Sequence, residues 1–324
     1  MARALPHANP LWMLGGILAY GVVELLTALR WQWLLRVQGI NLSWARVFLL
    51  MLIGVFFNFV IPGGTGGDVV KIFYLLKETP GQRALALLSV LVDRMLGLLG
   101  LTLLAGVLIG TRWSWLTSTP DTARWVWAGV IILIFTIGGI HFSWIVTRRG
   151  WVHKLPARFP GRDKLADLAL AYTLYGRAWR TSINCIAVSI AAHIGYFAVF
   201  YCAARSLAHE ETRIPSFADL CTIMPIVNVL TAMPISIGGL GVRENLFMVF
   251  LGPLCGVNEG VATLSSSIGY FLTLCWGLLG GVLYMFYRPS EHARLREIET
   301  EVAALEHTVA EQEVAMEIAE EEKR

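Results

Sequence analysis

The sequence predicts an all-α membrane protein: a polytopic transmembrane helix bundle with two re-entrant, broken helical elements related as an internal repeat, and a cytoplasmic helix at its C-terminal end. Three observations carry that prediction. Hydrophobic residues make up 56% of the chain, the mean hydropathy is +0.61 and only 15% of residues are charged, against about 25% in soluble domains. Apolar segments of spanning length recur along the chain, and Trp12, Trp31, Trp33, Trp113, Trp115, Trp125, Trp127, Trp144 and Trp179 crowd their ends, where an amphipathic ring favours the headgroup layer. Finally, two Pro/Gly motifs repeat at a fixed distance: Pro62, Gly66, Gly67 and Lys71 each have a counterpart 172 residues on, at Pro234, Gly238, Gly239 and Arg243. Hydrophobic segments interrupted at corresponding positions in two halves point to a transporter binding site.

The first span runs from Pro10 to Leu29, about the ~20 residues that a crossing helix needs; with no small-residue cleavage site after it, it reads as a retained anchor. The next apolar segment, 44–61, runs straight into Asn58-Phe-Val-Ile-Pro62-Gly-Gly-Thr-Gly66-Gly67-Asp68. The linkers on either side of it, one with Arg30, Arg36 and Arg46 and the other with Lys71, Lys77 and Arg83, are both basic. A full crossing would put them on opposite faces of the membrane, whereas a hairpin turning at Pro62-Gly63-Gly64 keeps both cytoplasmic, as the positive-inside rule prefers.

Spans follow near 84–110, 125–146 and 181–205. The loop 147–180 holds eight Arg or Lys against Asp163 and Asp167 and is expected on the cytoplasmic side, with an interfacial helix around Leu165 to Trp179. Segment 217–237 runs into the second motif, Asn228 through Pro234 to Gly241-Val-Arg243-Glu244; a short apolar piece at 246–256 and a last span at 261–287 complete the body. Ser265, Gly269, Thr273, Gly277 and Gly281 line one face of that span, a small-residue packing seam.

Two units result: residues 1–289 as the membrane domain and 290–324 as an acidic amphipathic helix. The tail from Glu291 carries 11 acids and 4 bases, leaving 22 bases and 12 acids in the body, a balance suited to anionic lipid headgroups. Leu295, Ile298, Val302, Leu305, Val309, Gln312, Met316 and Ala319 alternate steps of three and four, a heptad seam. Homo-oligomerisation through this seam and a solvated single helix both fit it. The five cysteines lie scattered in apolar segments without CxxC spacing and read as small buried hydrophobes.

The candidate site follows from the motifs. Backbone broken by Pro and Gly is tolerated at membrane depth only when buried in protein or facing a wet cavity. Half-helices starting at Gly66 and Gly238 would aim their N–H groups and positive dipole ends at an anion. Lys71 and Arg243 are the candidate phosphate ligands, with Gly66, Gly67, Gly238, Gly239, Asn58 and Asn228 completing a headgroup site. Asp68 and Glu244 are placed to pair with those bases or carry a proton. Asp93 and Arg94 stand inside an apolar span, where ionisable groups normally face the bundle and a partner, and Glu24 is the expected partner of Arg94. The ladder Thr181, Cys185, Ser189 and His193 reads first as inter-helix hydrogen bonding, with proton shuttling as the alternative. Tyr270 is expected beside the cavity.

The run from Asn58 to Arg94, with Pro-Gly-Gly-x-Gly-Gly-Asp and then Leu87-Leu-Ser-Val-Leu-Val-Asp93-Arg94, resembles the transmembrane domain family of lysylphosphatidylglycerol synthases. Pro234-Ile-Ser-Ile-Gly-Gly-Leu-Gly-Val-Arg243-Glu244 resembles the family's other signature, and the likeness extends over about 10–288. Asp93 departs from the Glu expected before the Arg but keeps its charge. The resemblance implies a flippase-like bundle with a lipid-facing cavity, in which Asp68 and Arg243 fall in the motifs tied to flipping. The soluble domain that makes the lipid in full synthases has no counterpart in this sequence, and the lipids linked to stand-alone relatives are diverse, isoprenoid-linked sugars among them.

The expected function is translocation of an anionic phospholipid or isoprenoid-linked lipid between leaflets of a bacterial or archaeal inner membrane, with the C-terminus cytoplasmic. The Gly63 to Gly67 run lacks the Gly-Lys-Ser/Thr of a P-loop, so no ATPase is expected within the chain, nor any cofactor, metal or nucleic-acid partner; a lipid synthase or glycosyltransferase is the expected protein partner. The rival readings are an intramembrane enzyme acting on a lipid phosphate and a non-transporting scaffold for a lipid-modifying enzyme. Neither an HExxH nor an aspartate-rich motif supports the enzyme.

Overall fold

The computed structural model describes residues 8–61, 66–78, 83–149, 170, 173–209, 212–232 and 239–287. Every regular element among them is a helix: α1 (Pro10–Val37), α2 (Trp44–Val60), α3 (Gly66–Glu78), α4 (Arg83–Thr111), α5 (Trp113–Leu116), α6 (Pro120–Arg148), α7 (Trp179–Ser206), α8 (Phe217–Thr231), α9 (Val242–Cys255) and α10 (Glu259–Phe286). Five are long and apolar enough to cross a membrane: α1, α4, α6, α7 and α10. The expected interfacial helix near 165–179 falls mostly outside the described residues, and the C-terminal helix of 290–324 falls wholly outside them.

Local chemistry sets the helix starts. The Asn9 side chain accepts from Leu11 N–H at 2.9 Å ahead of Pro10, a residue suited to a first helical position. Ser216 and Asp219 form a reciprocal capping box at α8, and Asn258 accepts from Gly260 N–H at the head of α10.

Contacts fix the direction of each helix. The Asn9 N–H donates to Ser206 O at 2.8 Å, and the Tyr175 hydroxyl donates to Leu34 O at 3.2 Å, so α1 and α7 lie antiparallel along their lengths. One end of the bundle, the Asn9 end, thus holds the start of α1 and the close of α7. At the other, the Tyr287 end, Arg46 Nη2 pairs with Glu78 at 2.6 Å, the Tyr287 hydroxyl donates to the same carboxylate at 2.8 Å, and Arg46 lies 4.9 Å over the Tyr287 ring. Burial first, and then the Glu78 bond, push the Tyr287 hydroxyl above its ordinary range, so it remains a protonated donor.

α2 and α3 are antiparallel partners: Arg46 meets Glu78 at their open ends, and Gly54 and Asn58 meet Gly67 near their tips. At about 25 Å, the 17 residues of α2 fall short of the ~30 Å hydrocarbon core. α8 and α9 form a second antiparallel pair. Its open end lies at the Asn9 end, where Phe217 packs on Tyr201 and Gly256 lies against Arg213; at its tip Thr231 lies against Gly239. The two hairpins enter the bundle from opposite ends.

The repeat extends well beyond the motifs. Shifted by 172 residues, α1 falls on α7, α2 on α8, α3 on α9 and α4 on α10, each within a few residues. The first unit contributes two spans, α1 and α4, and the antiparallel pair α2–α3, whose open ends lie together; followed directly by the second, it would leave both units in one orientation. The additional span α6 turns the second unit over. Only 11% of the apolar window of α6 is buried, against 28–44% for the other four spans, which places it at the periphery. α1 and α7, the corresponding helices of the two units, share the most extensive packing in the fold.

The small-residue seam of α10 is a packing surface, as its composition predicts. Phe200 fills the space over Gly269, Phe59 over Gly277 and Phe56 over Gly281, and Gly280 sits against the Leu52 carbonyl so closely that a side chain there would overlap it. α10 therefore carries the first hairpin along one stretch and α9 along the other.

Candidate functional site

The first tip is built by close approach. Gly67 lies against the Gly54 carbonyl with no room for a Cβ, and its N–H donates to Asn58 Oδ1 at 2.9 Å. Asn58 thus ties α2 to the first turn of α3. Asp68 follows in that turn, where an acid complements the helix dipole. Asp68 Oδ2 accepts from Arg94 Nε at 2.6 Å, and Lys71 Nζ lies 3.6 Å from Oδ1. Lys71 is 5% exposed, its stem against Gly54 and its ammonium 5.6 Å from the Trp31 ring.

The second tip is built differently. Gly239 and Gly241 have φ of +78° and +81°, a region that only glycine enters freely, so an α-helix cannot run through them. The half-helix therefore starts at Val242, and not at Gly238 as the repeat suggests. Gly238 itself, like Pro62 to Thr65 and Met233 to Ile237, lies outside the described residues. Glu244 accepts from Gly241 N–H at 2.7 Å and from the Ser266 hydroxyl at 3.2 Å. Its role is to cap α9 and join it to α10. The Arg243 guanidinium, on a side chain buried to 6% exposure, lies over the rings of Tyr270 at 5.3 Å and Phe200 at 5.5 Å. Asn228 is half-buried, one turn before the end of α8.

Tyr270 joins the two tips. Its ring packs edge-on against Phe59, 5.5 Å away at the first tip, and carries Arg243 of the second. On α1, Tyr20 lies 6.2 Å from Tyr196 of α7, one turn before Glu24, and Arg243 is near enough to act on it electrostatically. The charged residues predicted from the motifs thus converge with the tyrosines of three spans.

Partner choice departs from the sequence expectation at two places. Arg94 pairs with Asp68, and not with Glu24, because the N-terminal turn of α3 lies alongside α4. Glu24 forms no ion pair among the described residues, and Lys71 and Arg30 act on it from a greater distance. Asp93 takes Arg30, whose Nε donates at 2.7 Å while Nη1 donates to Ser189 at 2.8 Å; both charged residues are buried. Arg30 reads in the sequence as a linker base, yet α1 continues to Val37. The apolar run Trp31, Leu34, Leu35 after it was the available signal. The α4 face Ser89, Asp93 and Gly97 serves this centre: Ser89 accepts from Trp31 Nε1 at 3.3 Å, and Gly97 leaves space for the Arg30 guanidinium. His193 meets Gly97 O at 3.0 Å, the inter-helix hydrogen bond expected of it.

Arg94 carries a further implication. Its side chain is 52% exposed, yet it stands eleven residues into α4, about 16 Å along the helix. An arginine bare to hydrocarbon at that depth is costly, so the space beside α3 and α4 must admit water or polar headgroups. Among the described residues no three His, Cys, Asp or Glu side chains gather as a metal cluster.

Fold and site together define a polytopic membrane protein in which two inverted helix hairpins bring opposite charges to the middle of a helix bundle. The chain belongs to the family described as the lysylphosphatidylglycerol synthase transmembrane region, which matches residues 1–279. It is also similar to archaeal UPF0104 membrane proteins: 32% identical over 96 residues to one from Pyrococcus horikoshii, 29% of each chain, and 27% identical over 95 residues to one from Methanocaldococcus jannaschii, 29% of this chain and 28% of the relative. A third, from Methanothermobacter thermautotrophicus, is 21% identical over 313 residues, covering 87% of this chain and 86% of the relative. The first two likenesses span under a third of those relatives; the third runs through nearly the whole membrane body.

Proposed function

We propose that this protein moves an anionic lipid, a phospholipid or an isoprenoid-linked lipid, between the leaflets of the membrane, as a transporter and not an enzyme. The observation that carries the reading is the meeting of two inverted hairpins at a buried, charged centre: Lys71 on one tip, Arg243 on the other and Tyr270 between them. The phosphate would lie between the two bases, the planar guanidinium gripping it bidentately and the ammonium acting as a point charge. The acyl or prenyl chains would stay in the bilayer beside half-exposed Arg94. Inverted units supply two arrangements of similar energy, one open to each leaflet, which is how alternating access works in repeat-built transporters.

The Tyr287 end is the cytoplasmic end in this reading. α1, α3, α6 and α10 end there and α2, α4 and α7 begin there or close to it, beside the stretches of sequence richest in Arg and Lys, which the positive-inside rule assigns to the cytoplasm. The N-terminus then lies outside and the C-terminus inside an archaeal or bacterial cell membrane. A lipid synthase or glycosyltransferase acting on the same lipid remains the proposed partner.

The test is translocation in liposomes. Purified full-length protein should speed the exchange of a fluorescent phosphatidylglycerol between leaflets, read as loss of protection from external dithionite, and Arg243→Ala should bring the rate to that of empty liposomes. Exchange at the empty-liposome rate with the unmodified protein, for phosphatidylglycerol and for a polyprenyl phosphate alike, overturns the reading.

A further inference from the structure

With every carboxylate ionised, the charges at the meeting point balance. Four carboxylates, Glu24, Asp68, Asp93 and Glu244, stand beside four cations, Arg30, Lys71, Arg94 and Arg243. An anionic headgroup entering between Lys71 and Arg243 makes the region net negative. Uncompensated charge away from water is costly enough that groups change protonation instead. Either a cation enters with the lipid or one carboxylate takes a proton.

Three of the carboxylates are committed. Asp93 holds Arg30 at 2.7 Å, Asp68 holds Arg94 at 2.6 Å, and Glu244 accepts from the Gly241 N–H and the Ser266 hydroxyl. Glu24 differs. It is 4% exposed and in no ion pair among the described residues, and its Oε2, like Asp68 Oδ1, has no hydrogen-bond partner among them. No cation among the described residues lies within salt-bridge distance of it, although Lys71 and Arg30 act on it electrostatically. A proton on Oε2 would remove the one carboxylate charge that competes with a phosphate for Lys71 without breaking an existing ion pair.

Resting on the translocation reading above, we propose that Glu24 takes up one proton when the headgroup binds beside Lys71 and returns it to water when the headgroup leaves, so that lipid and proton cross together. The groups that bear on this exchange come from every element around it. α1 supplies Tyr20 and Arg30, α3 Lys71 and Asp68, α4 Asp93 and Arg94, α7 Tyr196 and His193, α9 Arg243 and Glu244, and α10 Tyr270. Of these, Lys71 lies 3.6 Å from Asp68 and acts electrostatically on Glu24, which makes it the link between the proton and the anion. Neutralising Glu24 leaves Lys71 with Asp68 and the phosphate. The phosphate then brings one negative charge as Glu24 gives one up, and the centre remains neutral for a singly charged headgroup.

Two measurements decide it. In weakly buffered detergent solution with a pH indicator, adding dioctanoyl phosphatidylglycerol to the full-length protein should draw about one proton from solution per lipid bound. Glu24→Gln, matched by bound lipid and checked for an unchanged thermal midpoint, should draw none, and Glu24→Asp should restore the uptake. Binding without proton uptake, or equal uptake in Glu24→Gln, overturns the coupling and leaves the lipid site standing. In liposomes, a gradient of one pH unit should drive net accumulation of the labelled lipid in one leaflet, with a one-proton limit near tenfold; Glu24→Gln should abolish gradient-driven accumulation. Translocation indifferent to the gradient overturns coupling alone, whereas absence of both binding and translocation overturns the transport reading and this proposal with it.

Discussion

The two hairpins occupy equivalent places in the repeat and solve the same problem by different means. At the α2–α3 tip, glycine is needed for space: Gly67 is helical, and its value is that α2 can press its backbone against it. At the α8–α9 tip, glycine is needed for conformation. Gly241 has nothing near its missing Cβ, yet its φ of +81° excludes other residues at low cost. The bases differ in the same way. Lys71 is held by a carboxylate in its own helix, while Arg243 rests on two aromatic rings and its neighbouring acid is spent on a cap. A repeat conserves position and charge sign more strictly than it conserves the means of holding them, so the two sides of the cavity are chemically unequal.

That contrast can be broken in order of expected effect. Gly67→Val should be the most damaging, because the branched side chain must displace the Gly54 backbone and Asn58; a loss of roughly 3 kcal/mol or more, or failure to fold, should appear in thermal unfolding in detergent. Tyr270→Ala removes the ring that both tips share and should cost about 2 kcal/mol. Tyr270→Phe, which keeps the ring, should unfold within about a degree of the unmodified protein. Gly241→Ala should cost about 1 kcal/mol, a strain of backbone alone. If Gly241→Ala proves as harmful as Gly67→Val, the distinction between space and conformation is wrong. Smallest is Glu78→Gln at the open end of the first hairpin, under about 1 kcal/mol and shrinking as salt is added, because Arg46 is partly exposed and the pair is screened.

Much of the site was legible in the sequence because its signals are local. Pro/Gly interruptions at one spacing marked both tips, and an acid beside a base in an apolar span marked Asp93 as facing the interior and Arg94 as needing a partner, though Arg94 is half exposed. Tyr270 was legible from its place beside the α10 seam. Arg30 was not, since its helix runs past the point where apolar composition gives way to charge. The pairing of Arg94 with Asp68 was not legible either, because it depends on how α3 rotates against α4, and neither helix's periodicity carries that angle.

By itself the sequence determined an all-helical membrane body, five spans, two interruptions and most of the residues that bring charge to depth, Arg30 excepted, since hydropathy and helix breaking act over one or two turns. Tertiary structure decided that the halves are inverted and which charges meet. A helix pattern reads alike whichever way the helix crosses the membrane. Direction emerges only when the span α6 is counted and the ends are paired, Asn9 with Ser206 and Arg46 with Glu78, through contacts far apart in the chain.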